Sequence, residues 1–309
     1  MRVPADPTAP SALATPAEAD VPALARMVER VRAALAGEGP LCIRGGGTKD
    51  FYGGAPRGRE LATGELRGIC SYEPTEMVIT ARAGTPLAEV EAALAERGQW
   101  LAFEAPRLGA SSTIGGVVAA GLSGPARAAC GSVRDFVLGA VLLNGRGELL
   151  RFGGQVMKNV AGYDVSRVLP GSLGILGVIC EVSLKVLPTP PARRTLVLDL
   201  ALPAALERLH RWLGAALPLQ ASAWEAGRLH LRLAGAEAAV QASAALLYRE
   251  AGAAALESGE ADVFWARIRD HSAPYFARAV ESLGNGGQRL WRLSLPALVP
   301  PLDLPGESL

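Results

Sequence analysis

Apolar residues recur at helical spacing near the start of the chain. Leu24, Met27, Val28, Val31 and Leu35 predict a helix from about Val21 to Ala36, with Asp20 as its cap and Gly37 and Gly39 as its end. Leu41-Cys42-Ile43 is a short apolar run and predicts a buried strand that stops at Arg44. Val78 to Ala83 predicts a second strand. A helix follows, capped by Thr85, with Pro86 in its first turn and Gly98 beyond its end. Ile114 to Ala120 is a short apolar helix introduced by Ser112 and Thr113. Val137–Leu143 and Leu149–Phe152 flank Asn144-Gly145-Arg146-Gly147, a hairpin signal. Val178 to Val186 predicts a strand, after which Pro188, Pro190 and Pro191 mark a domain boundary.

Beyond that boundary the pattern predicts a strand at Thr195–Leu200 and a helix at Ala204–Leu217. Paired strands at Ala221–Trp224 and Leu229–Leu233 follow, then a helix at Ala236–Glu257 and an alternating strand at Arg289–Leu295. No repeat is visible. The fold class expected is α+β, with a loose tail over 1–19, a first domain over 20–190 and a smaller α+β domain over 191–309. The chain reads as short at Pro305–Leu309, where another strand or helix is expected to complete the second domain.

Composition narrows the function more by exclusion than by assertion. Half the 309 residues are hydrophobic and the net charge is +1, so no basic excess points to nucleic acid. No signal peptide and no transmembrane run are read, which suggests a cytoplasmic protein. Cys42, Cys70, Cys130 and Cys180 are widely spaced, which argues against zinc or iron–sulfur sites and for single buried thiols.

The chemistry concentrates in three glycine-rich segments. In Arg44-Gly45-Gly46-Gly47-Thr48-Lys49, adjacent glycines after a buried strand permit a nest of N–H groups around an anion, to which Thr48 adds a hydroxyl and Lys49 a charge. A plain flexible turn is the competing reading. Neither the P-loop pattern nor a Rossmann fingerprint fits, because the Lys-Ser/Thr pair is absent and no helix opens after the glycines. Ser112-Thr113-Ile114-Gly115-Gly116 places hydroxyls and glycines at a helix start, where free N–H groups favour an anion. Gly171 to Ile179 carries Gly174 and Gly177 into a strand.

In their order and separation, these segments resemble the flavoproteins of the vanillyl-alcohol-oxidase type, also called PCMH-type. Within them the chain is most similar to the FAD-binding E subunits of bacterial glycolate oxidase. Tyr72-Glu73-Pro74-Thr75-Glu76 and Lys158-Asn159-Val160-Ala161-Gly162-Tyr163-Asp164 add to the likeness, which is strong over about 20–190 and looser through Trp291-Arg292-Leu293-Ser294-Leu295-Pro296.

The resemblance implies a two-subdomain PCMH-type FAD-binding domain followed by a smaller cap-like domain. It implies that Ile43, Arg44, Gly45, Gly46, Gly47, Thr48 and Lys49 wrap the diphosphate. Pro106, Ser112, Thr113, Gly115 and Gly116 would line the flavin and diphosphate path, and Ala119, Gly121 and Leu122 would lie along the cofactor. Gly174, Gly177, Val178 and Ile179 would meet the adenosine end or the ring through backbone groups. It also implies work beside a catalytic flavoprotein subunit and an iron–sulfur subunit, with any membrane association made peripherally through those partners.

The chain departs from the catalytic members of that group. Leu173 stands where they carry a glutamate. His210, His230 and His271 are scattered, and surface or capping roles are expected of them. No histidine lies near the glycine loop, so FAD is expected to be held non-covalently, with no catalytic residue and no metal ligand assigned. The leading expectation is a flavin-bearing subunit of a multi-subunit 2-hydroxyacid dehydrogenase. A free-standing flavin oxidase and a structural subunit with a degenerate site are the alternatives. Partner contact is expected to use the strand at 290–295 and exposed Trp212, Trp224 and Trp265.

Overall fold

A computed structural model describes residues 22–154, 164–283, 290–296 and 299–302. The tail over 1–19, the Asp20 cap, residues 158–163 of the Lys158 motif, Arg289 and the stretch 305–309 lie outside the described residues. In chain order the first elements are α1 (Pro22–Ala33), β1 (Leu41–Arg44), β2 (Arg59–Ala62), β3 (Ile69–Glu73), β4 (Val78–Arg82) and α2 (Leu87–Ala95). Next come β5 (Gln99–Trp100), α3 (Ile114–Ala120), α4 (Arg127–Cys130), α5 (Val133–Phe136), β6 (Val137–Leu143), β7 (Leu149–Gly153), β8 (Val178–Lys185) and β9 (Leu187–Pro188). The remainder is β10 (Ala192–Asp199), α6 (Leu202–Leu213), β11 (Leu219–Glu225), β12 (Arg228–Gly235), α7 (Glu237–Ala251), β13 (Ala254–Ala255), α8 (Ser258–Arg269) and α9 (Pro274–Leu283).

The chain folds as two compact units. The first gathers the described residues up to Arg97 with Gly109–Gly121 and Val133–Val186. The second gathers Gly98–Leu108, Leu122–Ser132 and the described residues from Leu187 onward.

In the first unit, five antiparallel strands run in the order β3-β4-β8-β6-β7. β8 sits at the centre and is apolar on both faces, which is why Val178–Lys185 reads as a near-continuous hydrophobic run. One face is covered by α1, whose Ala23, Leu24, Met27 and Val31 join Val141, Leu143, Val178 and Cys180 in a single core cluster. That stripe follows the spacing read from the sequence, but Leu35 falls outside it, exposed in a wide turn where Gly37 takes φ +117°. The β6–β7 turn is built on Asn144, whose Oδ1 accepts the Arg146 and Glu148 amides, and on Gly147 at φ +73°. Thr85 does not cap α2. Its hydroxyl is fully buried and bridges Gly68 instead, accepting from the amide and donating to the carbonyl.

β1 and β2 pair in parallel, Leu41 opposite Arg59 and Arg44 opposite Ala62. Parallel neighbours cannot be joined by a tight turn, so the chain must cross over between them. That crossover, residues 45–58, is the glycine-rich loop.

The second unit is built on an antiparallel sheet in the order β11-β12-β10-β13. β12 is buried on both faces, and its alternation assigns a partner to each. Leu229, Leu231 and Leu233 pack with Ala205 and Trp212 of α6 and Val240, Ala244 and Leu247 of α7. His230 and Arg232 face the other way, against Phe264 and Trp265 of α8. α7 ends at Ala251 rather than at Glu257 because Gly252 takes the left-handed conformation. Three expectations fail in this unit. Residues 290–296 form no strand among the described residues, and Leu290, Trp291, Leu293 and Leu295 are exposed. Trp212 and Trp265 are buried, and Trp224 is half-buried with its Nε1 donating to the Leu200 carbonyl. His230 is a core residue, 5% exposed, not a surface one.

The His230 ring stacks on Phe264 at 3.9 Å, and burial, then the nearby Arg228 cation, push its pKa down to about 4. The folded pKa lies below the unfolded value, so the fold favours the neutral ring. Its contribution is complete above about pH 6.5 and is lost as pH falls through the window down to about 4. The loss amounts to as much as about 3 kcal/mol. Thermal melts at pH 7 and pH 4.5 should therefore show a smaller acid loss for His230→Phe, which keeps the stack, than for wild type. Equal losses would remove His230 from the account.

Candidate functional site

The crossover loop is pressed against a second glycine segment of the same unit. Ser111 Oγ donates to the Gly46 carbonyl at 2.8 Å, and Lys49 Nζ donates to Ser112 Oγ at 2.9 Å and Thr48 Oγ1 at 3.1 Å. A Cβ on Gly45 would come within 2.6 Å of Thr113 Oγ1, and one on Gly46 within 1.6 Å of the Ser111 carbonyl oxygen. The missing side chains therefore have a definite use, which is to let the loop lie flat on residues 111–113. Gly47 takes φ +71°, the left-handed conformation that turns successive amides toward one side. Among the described residues, no acceptor meets the N–H groups of Gly45, Gly46, Gly47 and Thr48. Four consecutive open amides beside an ammonium held by two hydroxyls are a donor set suited to an anion, and they make this loop a candidate anion cradle.

Arg44 contributes differently from the expectation. Its guanidinium pairs with Asp50 at 2.6 Å and Glu60 at 3.3 Å, and the hydrogen bonds it donates to those carboxylates raise its pKa. Its carbonyl accepts from the Thr63 amide. Arg44 braces the loop, and the ammonium held beside the glycines by Thr48 and Ser112 is that of Lys49.

The helix start at Ser112–Gly116 also works differently. The Ile114 amide donates to the Thr85 carbonyl, that of Gly115 to Ala83, and that of Gly116 to the Thr113 side chain, so the first turn of α3 has no donors to spare. Gly115 is a packing glycine, with a Cβ there lying 2.5 Å from that of Ala83. Ser112 and Thr113 serve the cradle through Lys49 and Gly45 instead.

The third segment meets the other two. The amides of Gly171 and Leu173 donate to the Val118 and Ala119 carbonyls at the end of α3. Gly121, at φ +63°, lies against the Gly171 amide, and Gly174 lies against Ile43 Cδ1. Gly177 is needed for its own strand, because a Cβ there would strike the Leu143 carbonyl at 2.4 Å. Val178 and Ile179 are buried in β8 opposite Leu143 and Leu142, so any ligand contact through them is confined to backbone groups. Leu173, Ile175 and Leu176 form an exposed apolar lip, and Leu173 also touches the Gly53 position. Pro106 and Leu122 fall in the second unit, where both are buried. Asp164 is engaged in its own turn with Ser166 and Arg167.

Among the described residues no group of His, Cys, Asp and Glu is arranged to hold a metal, and no helix is long and apolar enough to cross a membrane. The four cysteines are free thiols. Cys70 is exposed rather than buried, and its sulfur contacts Glu181 at 3.3 Å.

The family described as "FAD binding domain" matches residues 19–153, which contain the crossover loop and α3. The chain is 45% identical over 285 residues to glycolate oxidase subunit GlcE of Escherichia coli K12, covering 92% of this chain and 76% of that protein. It is 30% identical over 160 residues to glycolate oxidase subunit GlcD of Bacillus subtilis. It is also 30% identical over 161 residues to D-2-hydroxyglutarate dehydrogenase of Xanthomonas citri pv. viticola. These two matches take in 51% of this chain and 34% of each relative, so the chain spans about a third of their length. Among solved structures, alkyldihydroxyacetonephosphate synthase superposes with a TM-score of 0.64 at 17% identity, covering 82% of this chain and 53% of that one.

Proposed function

The chain belongs to the PCMH-type FAD-binding family of glycolate oxidase subunit GlcE, and from that premise we propose that it is the FAD-binding subunit of a multi-subunit 2-hydroxyacid dehydrogenase. The observation that carries this reading is the run of four open amides at Gly45–Thr48 beside Lys49. The pyrophosphate of FAD presents the clustered oxygens that such a cradle complements, and glycine at 45 and 46 is what lets the backbone adopt it. Ser112 and Thr48 aim the Lys49 ammonium, and Ile43 and Gly174 close one side. When bound, FAD supplies electron transfer, and the protein supplies position and electrostatics.

Oxidation of a hydroxyacid also needs a group to take the hydroxyl proton. His230 is buried and stacked, and His271 is stacked on Phe276 with its pKa lowered by burial and by Arg292. Both rings are held in stacks, and His210 stands in no HxH or HxxxH spacing that would supply a base. The chemistry on substrate is therefore assigned to a partner, a catalytic flavoprotein subunit related to GlcD, with an iron–sulfur subunit completing the complex. On this proposal the complex works in the cytoplasm, with any association to the inner membrane made peripherally through its partners. Exposed Trp291, Leu293 and Leu295, rather than the buried tryptophans, offer the apolar area for partner contact.

The test is on the purified chain reconstituted with FAD. It should show a flavin absorbance spectrum and release all its flavin on acid precipitation, as expected of a non-covalent cofactor. It should reduce no artificial dye with glycolate until partners are added. Yellow colour retained in the pellet overturns the non-covalent reading. Robust dye reduction by the chain alone makes it a free-standing oxidase, and no flavin uptake makes it a subunit with a degenerate site.

A further inference from the structure

Arg44, the residue that opens the glycine loop, is bonded to the residue that closes it. Its Nε donates to Asp50 Oδ2 at 2.8 Å, its Nη2 lies 2.6 Å from Asp50 Oδ2, and its Nη1 reaches Glu60 Oε2 of β2 at 3.3 Å. Between the two ends the guanidinium lies against Gly47, where a Cβ would come within 2.6 Å of Nη2 and 3.1 Å of Cζ. The backbone of Arg44 is fixed separately. It stands opposite Ala62 in the β1–β2 ladder, and its carbonyl accepts from the Thr63 amide at 2.9 Å. At the far end the loop turns tightly, with the Asp50 amide donating to the Gly47 carbonyl and the Tyr52 amide to that of Lys49. Resting on the FAD reading above, we propose that Arg44, Asp50 and Glu60 are positioning residues for the cofactor, a clasp that holds the row of amides ready before FAD arrives.

Three successive glycines are easy to bend and costly to order. Among the described residues no acceptor meets the N–H groups of Gly45 to Thr48, so those amides do nothing by themselves to hold the loop in shape. The order has to come from other groups. The clasp ties the ends of the loop, and the Ser111 hydroxyl ties its middle through the Gly46 carbonyl. Conformational freedom already lost when the chain folds is not lost again when the cofactor binds, and affinity gains accordingly.

The clasp also manages charge. Asp50 follows Lys49 directly and Glu60 shares the Arg44 guanidinium, so two carboxylates stand close to a loop that is to receive an anion. The cation between them reduces the repulsion they would exert on a diphosphate. Both members of the Arg44–Asp50 pair are partly exposed, 44% and 42%, and a surface pair of that kind contributes little to the stability of a fold. Its loss should therefore appear in cofactor affinity and leave global stability nearly unchanged, which separates a positioning role from a merely structural one.

The test is titration of FAD into the full chain freed of flavin, followed by the change in flavin fluorescence, with urea unfolding of the same samples. Asp50→Asn, which removes the ion pair, should weaken FAD binding about threefold. Arg44→Gln should weaken it about tenfold, because it also leaves Asp50 and Glu60 uncompensated. The double change Arg44→Gln with Asp50→Asn should bind better than Arg44→Gln alone, since one bare carboxylate is gone. Urea midpoints should match wild type. A further readout needs no cofactor. In the flavin-free chain a lysine-specific endoproteinase should cut after Lys49 faster in Arg44→Gln than in wild type, because the unclasped loop opens more often. The proposal is overturned if Arg44→Gln binds FAD like wild type, if the double variant binds no better than Arg44→Gln, if lost affinity comes with an equal loss of urea stability, or if cleavage after Lys49 is no faster. A wild-type chain that takes up no FAD instead overturns the cofactor reading, and this proposal with it.

Discussion

Gly46→Val should yield a folded chain that no longer retains FAD, with affinity lower by at least about tenfold. The sequence suggested that a side chain there would block the ligand. The structure supplies a nearer collision, because the new Cβ would stand 1.6 Å from the backbone oxygen of Ser111. Backbone cannot swing aside as a side chain can, so the loop has to lift from residues 111–113. Lifting it breaks the Ser111 bond to the Gly46 carbonyl, separates Lys49 from Ser112 and opens the row of amides. The core cluster under α1 includes no residue of this loop, so the fold should survive. Gly54 is the internal control. It lies in the same crossover with nothing within 4 Å of its Cβ position, and Gly54→Ala should load flavin like wild type. The measurement is the flavin-to-protein absorbance ratio after desalting, alongside far-ultraviolet circular dichroism. Equal flavin loading in Gly46→Val and wild type would show that the crossover is not the diphosphate cradle.

The same loop shows how far the sequence could be read. Three glycines after a short apolar strand announce a backbone that must come close to something, and that much is local. What it comes close to is set by the parallel pairing of β1 with β2, and Arg59-Glu60-Leu61-Ala62 has too few buried positions to announce a strand. The α3 glycines carried the same ambiguity. In sequence Gly115 reads as part of the flavin and diphosphate path, but its absent side chain makes room for Ala83, and its amide is spent on that residue's carbonyl. Composition cannot separate a glycine that admits a ligand from one that admits a neighbouring strand. The alternation at 290–295 failed for a related reason, since a strand needs an edge to pair with as well as a pattern. Long periodic segments fared better, because α1, α6, β8 and the β11–β12 pair each bury a face wide enough to dominate their local preferences. The excursions at 98–108 and 122–132 into the second unit carry no periodic signal, and the residue that fixes them there, Glu104, looks in sequence like any surface acid.

Glu104→Ala should be among the most destabilising single changes in the second unit, at about 3–5 kcal/mol. Glu104 Oε2 accepts from Arg232 at 2.7 Å and from the Ala126 amide at 2.8 Å, so one carboxylate joins the two excursions to β12. Glu104 and Arg232 are 11% and 6% exposed, too little for water to replace the lost partner. Arg232 cannot turn elsewhere, because its Nε already lacks a partner and its guanidinium is held against Trp265. Truncation therefore strands a buried cation and an amide together. The pair itself need not be strongly stabilising, since desolvating both charges consumes most of the attraction between them. That distinction is measurable. Glu104→Gln, which keeps an acceptor for Ala126 but removes the charge, should fall between wild type and Glu104→Ala. The double change Glu104→Gln with Arg232→Met should recover much of the lost stability, because no unpaired charge remains. Urea unfolding gives the stabilities, and hydrogen exchange should show residues 98–108 and 122–132 losing protection first in Glu104→Ala. A double variant as unstable as Glu104→Ala, or unchanged exchange in both excursions, would show that Glu104 does not fasten them.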